Sequence, residues 1–201
     1  MSNSEHEKDI EIPNLVEFSK IIKDLLSDLI NTFPDKTEAT ILKNNNLHNI
    51  MKYDFDKDHN NLEYNDEIVL NMINIFSHCK NVFPSKFFDI LYQNDDLFTN
   101  EKDLCFLPDI NFSELYFDTT TNQTKETLWK YLQLILFSVS SDLESRESFG
   151  DTAKLFEAIN EDELKSKLEE TMKGMGDLFK DCSENFFQDL SGENLDISGL
   201  N

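Results

Sequence analysis

Hydrophobic positions recur at helical spacing along most of this 201-residue chain. The most apolar stretch runs from Glu126 to Ser140. Within it Leu128, Tyr131, Leu132, Ile135, Leu136 and Val139 follow i, i+3, i+4, i+7, i+8 and i+11, the stripe of a helix. Trp129, the sole tryptophan, joins Leu134 and Phe137 on the opposite side, leaving Lys130, Gln133 and Ser138 as a thin polar seam. A helix apolar nearly all round is enclosed by other helices. This predicts an all-α fold, a single domain of six to eight helices around a buried central helix at about 126–141. The domain is expected over 14–179, with acidic disordered termini at 1–13 and 180–201.

Two further helices are well marked. Asn14 to Phe33 carries Leu15, Phe18, Ile22, Leu25, Leu29 and Phe33 on one face, widened by Ile21, Leu26 and Ile30. Pro34 is expected to stop it, because the residue before a proline avoids helical geometry. Glu67 to Phe83 carries Ile68, Met72, Ile75, Phe76, Cys79 and Phe83, and it too ends in Phe-Pro. Aligned on that ending, Asn31-Thr-Phe-Pro-Asp-Lys36 matches Asn81-Val-Phe-Pro-Ser-Lys86. Two amphipathic helices sharing a stop signal explain the match, and a degenerate helical repeat is the other reading.

Between these segments the pattern weakens. Residues 35–66 are polar, with a break at Asn44-Asn45-Asn46, a short helix through Leu47, Ile50, Met51 and Tyr53, and an acidic loop from Asp54 to Asp66. Ser85 is placed to cap a short helix over Lys86 to Gln93, packed through Phe87, Phe88, Leu91 and Tyr92. Residues 94–124 read as an irregular connection pinned by Leu97, Phe98, Phe106 and Leu107. Within it Asn111-Phe-Ser-Glu114 has the spacing of a capping box. The central helix is expected to be capped near Thr121 or Asn122. A polar linker over 140–150 precedes a short helix with Leu155, Phe156 and Ile159, then an amphipathic helix with Leu164, Leu168, Met172, Met175 and Phe179.

Charge narrows the function classes. A net charge of −22 repels nucleic acid and anionic membrane surfaces. Arg146 is the sole arginine, so bidentate reading of guanine or phosphate has almost no means. The expected partner is a protein, basic if charge selects it, with no direct nucleic acid and no membrane. The central helix has only about 12 mostly apolar residues where a membrane span needs about 20. Cys79, Cys105 and Cys182 are odd in number, widely spaced and without a CxxC, which fits a reducing, intracellular compartment. The acidic N-terminus has no signal-peptide pattern.

Candidate chemistry is sparse. Asp56-x-Asp58-x-Asn60-Asn61 followed by Glu67 has the spacing of a calcium loop, with Asn61 where glycine is usual. Against it stand Glu63 at a position that favours an aliphatic side chain and the lack of a second loop, so a solvated acidic loop is the expected reading. His6, His48, His59 and His78 form no metal spacing with the cysteines. No cofactor, metal site or catalytic residue is expected. The C-terminal tail embeds Phe186, Phe187 and Leu190 among acids, a pattern of segments that fold onto a partner. Packing of the two phenylalanines onto the domain's own core is the equal alternative.

The segments Phe83-Pro-Ser-Lys-Phe-Phe-Asp-Ile-Leu-Tyr-Gln-Asn-Asp-Asp-Leu-Phe98, Phe106-Leu-Pro-Asp-Ile-Asn-Phe-Ser-Glu-Leu115, Glu126 to Val139 and Phe149 to Ile159 together carry a resemblance. Over roughly residues 15–180 the chain resembles an uncharacterised protein family of giant nucleocytoplasmic large DNA viruses. Trp129-Lys-Tyr-Leu-Gln-Leu-Ile-Leu-Phe-Ser138 is its most specific part. The resemblance implies a virus-encoded protein made in an infected cell, in its cytoplasm or in the virion, and a further charged C-terminal region. It carries no activity and no functional residues. The leading expectation is an interaction or structural protein without catalysis, with an acidic decoy or chaperone for basic proteins as the alternative.

Overall fold

The computed structural model describes residues 11–58, 61–118 and 121–141, and two isolated helical positions, Ser166 and Glu170. The chain divides into two compact units, 1–139 and 140–201. The expected linker over 140–150, the helices beyond it and the 180–201 tail lie outside the described residues, those two positions apart. The first unit is built from helices. In chain order these are α1 (Ile12–Thr32), α2 (Pro34–Lys43), α3 (Asn45–Lys52) and α4 (Phe55–Asp58), then α5 (Glu67–Val82), α6 (Phe87–Leu91), α7 (Asp96–Asn100), α8 (Phe112–Asp118) and α9 (Asn122–Ser141). A 3-10 turn over Pro84–Lys86 joins α5 to α6, and α4 is one turn long. Among the described residues the sole extended pairing is an isolated bridge of Leu107 with Ile110.

α1, α3 and α5 pack on one another, with α2 against α1 and α3. The apolar face of α1 is buried through Leu15, Phe18, Ile22, Leu25 and Leu29. Phe18 meets Phe76 of α5 edge to face at 5.0 Å. Asn44 breaks the chain between α2 and α3 as its polarity predicts, and its side chain accepts a hydrogen bond from the Leu47 amide.

α9 is the buried helix that the pattern at 126–141 predicts. Leu128, Trp129, Tyr131, Leu132, Leu134, Ile135, Leu136, Phe137 and Val139 are all buried. Large aromatics fill the space around it. Phe98 of α7 lies between Tyr116 of α8, stacked at 4.2 Å, and Trp129, at 5.1 Å. Phe106 continues the cluster to Phe83 and Phe112. Tyr131 reaches α1, its hydroxyl donating to Asp28 Oδ2 at 2.8 Å. Burial, and then the Asp28 carboxylate, push that hydroxyl well above the usual tyrosine range.

Three local expectations are corrected. Pro34 ends α1 but also opens α2, because proline fits the first turn of a helix, where its missing N–H costs nothing. Residues 94–124 are not an irregular connection. They hold α7 and α8, whose five and seven residues are too short to show a period. Ser85 caps nothing. It sits in the 3-10 turn and its hydroxyl donates to the Val82 carbonyl. The other caps are as read: the Glu114 amide donates to Asn111 Oδ1, and the Thr124 amide donates to Thr121 Oγ1.

Candidate functional site

The calcium-like spacing lies only partly within the described residues. Asp56 lies in the single turn of α4, and Asp58 is the last residue of that turn. Asn60 lies outside the described residues. Glu67 opens α5 and accepts a long hydrogen bond from Asn49 Nδ2 at 3.4 Å. Asp66 Oδ2 is occupied by the Glu63 amide at 2.8 Å. Among the described residues no three histidine, cysteine, aspartate or glutamate side chains are grouped to hold a metal ion.

Cys79, Cys105 and His78 have contacts within the packed helices. Cys79 is fully buried, and its thiol approaches the Phe106 carbonyl at 3.7 Å. Burial pushes that thiol up, away from thiolate. Cys105 is raised too, by burial and then by the Asp109 and Asp103 carboxylates. A thiol needs the opposite influence to act as a nucleophile. His78 Nε2 lies 3.2 Å from the Cys105 carbonyl oxygen.

One exposed surface is built with more care. α6 buries Phe87, Ile90 and Leu91, leaves Phe88 half-buried and is followed by the exposed Tyr92. These two rings sit one helical turn apart and stack, with centroids 6.3 Å apart and planes within 5°. Tyr92 is 50% exposed. The helix then stops because Gln93 adopts φ 52°, a left-handed conformation that costs a residue with a Cβ about 1 kcal/mol. Gln133 of the central helix supports the stop. It is buried, and its side-chain Nε2 donates to the carbonyls of Leu91 (3.0 Å) and Ile90 (3.3 Å), the latter also accepting the Gln93 amide at 3.2 Å. The polar seam expected at Gln133 is thus turned inward as a pin.

The carboxylates in the same stretch of chain are held in turn. Asn94 folds back, its amide donating to the Asp89 carbonyl at 2.8 Å and its side chain to Asp89 Oδ1 at 2.7 Å. The Asp96 amide donates to Asn94 Oδ1 at 3.2 Å. Asp95 accepts the Tyr116 hydroxyl, and burial together with this carboxylate lifts Tyr116 to about 12. Lysine is present nearby in sequence at Lys86, but it pairs with Glu101. The result is a stacked aromatic pair at the end of α6, in the same stretch of chain as Asp89, Asp95 and Asp96 and held by the α6 stop and by α9.

The sequence pattern counts Phe88 and Tyr92 as core. The signal against that reading is crowding: Phe87, Phe88, Leu91 and Tyr92 form too wide an apolar face for a helix of five residues to bury. Phe186, Phe187 and Leu190, for which partner binding and packing on the domain's own core are equal readings, lie outside the described residues. No known protein family, curated protein or solved structure matches the chain. No helix among the described residues is long and apolar enough to cross a membrane.

Proposed function

We infer that this chain is a non-catalytic protein that works by protein–protein contact. The observation that carries the reading is the stacked Phe88–Tyr92 pair at the end of α6, with Tyr92 exposed and the helix end tied to the central helix by Gln133. Rigid exposed aromatics contribute much of the energy at protein interfaces and lose little conformational freedom on binding. A net charge of −22 selects for basic partners and against nucleic acid. The resemblance to the giant-virus family adds a setting, an infected cell or the virion.

An acidic decoy for basic proteins is the second reading, and the same net charge favours it. Salt separates the two. The tagged full-length chain is recovered with its partners from cells that make it, at about 0.1 M and about 1 M salt, where charge attraction is screened beyond about 10 Å and about 3 Å. A contact protein retains a defined partner in stoichiometric amount at low salt and keeps part of it at high salt. A decoy yields a mixture of basic proteins, all lost at high salt. Failure to recover any specific partner would sink the interaction reading. Replacing Phe186, Phe187 and Leu190 by serine in the full chain then tests the contribution of the tail.

A further inference from the structure

We draw no further inference here: the strongest candidate, the side-chain cluster of Cys79 and Cys105 where α5 packs against the 105–106 backbone, carries nothing because among the described residues no contact brings the two thiols together.

Discussion

The two Phe-Pro corners share a sequence and fold differently. At Asn31-Thr-Phe-Pro-Asp-Lys36, Phe33 leaves the helix, with φ −131° and ψ 55°, and is only half-buried. At Asn81-Val-Phe-Pro-Ser-Lys86, Phe83 keeps helical angles, φ −65° and ψ −39°, directly before Pro84. A residue before proline disfavours that geometry, because the proline ring crowds its backbone. The compensation lies in packing. Phe83 is fully buried and its ring lies 4.8 Å from that of Phe106. One corner obeys its local preference and the other is overruled by the core. The divergence also argues against reading the match as two copies of one structural unit.

The largest test of this contrast is truncation of the two rings. Phe83→Ala is expected to cost about 3–5 kcal/mol, the range for deleting a fully buried phenylalanine. Phe33→Ala removes a half-exposed ring and should cost less than half as much. Urea unfolding of the two variants measures both, and equal shifts in midpoint would show that packing at Phe83 is not what holds it.

Next comes the polar residue that follows each corner. Thr37 is fully buried, and its hydroxyl lies within reach of the carbonyls of Leu29 (3.1 Å) and Phe33 (2.8 Å) at the end of α1, each of which also accepts a backbone amide. Thr37→Val keeps the shape and removes that donor, for an expected loss of about 1–2 kcal/mol. Ser85 is exposed and bonds only the Val82 carbonyl, so Ser85→Ala should stay within about 0.5 kcal/mol of the parent. The prolines themselves follow with opposite signs. Pro34 suits the first turn of α2, and Pro34→Ala should destabilise by about 0.4–1 kcal/mol through the freed unfolded chain. Pro84→Ala meets the same unfolded-state term but relieves the crowding at Phe83, so its cost is smaller or reversed. A larger loss at Pro84 than at Pro34 would contradict the account of the second corner.

The sequence showed most where the apolar period was long. The stripes of α1, α5 and α9 run to four turns or more, and their burial follows from spacing alone. α2 escaped because Pro34-Asp-Lys-Thr-Glu-Ala-Thr buries only Thr37 before Ile41, and a buried threonine leaves no apolar mark. For α7 and α8 the pins Leu97 and Phe98 were legible while the helices around them were not, since one or two turns display no period. The candidate surface was hidden for a different reason. Phe88 and Tyr92 have core-type side chains, and their exposure depends on where α6 stops. That stop depends on Gln133, forty-two residues away from the Leu91 carbonyl it caps. No window along the chain contains that contact.

The corners differ last and least in their lysines, and here the contrast is read through pH. Lys36 spans to α8, pairing with both Asp118 and Glu114, and those hydrogen bonds raise its ammonium above the ordinary value of 10.5. Lys86 pairs with Glu101 alone. A lysine raised on folding contributes stability that is whole below its unfolded value and is lost as pH climbs through the folded one. Lys36→Met should therefore leave a gap to the parent at neutral pH that closes above about pH 10.5. The parent's own stability also falls in this range, because the Tyr116 and Tyr131 hydroxyls are raised as well and must lose their protons on unfolding. That shared decline is common to both chains and cancels in the difference. Thermal unfolding of parent and variant at steps from pH 7 to 11 measures the gap, and a gap that stays constant to the alkaline end would mean that the paired charge of Lys36 is not what joins α2 to α8.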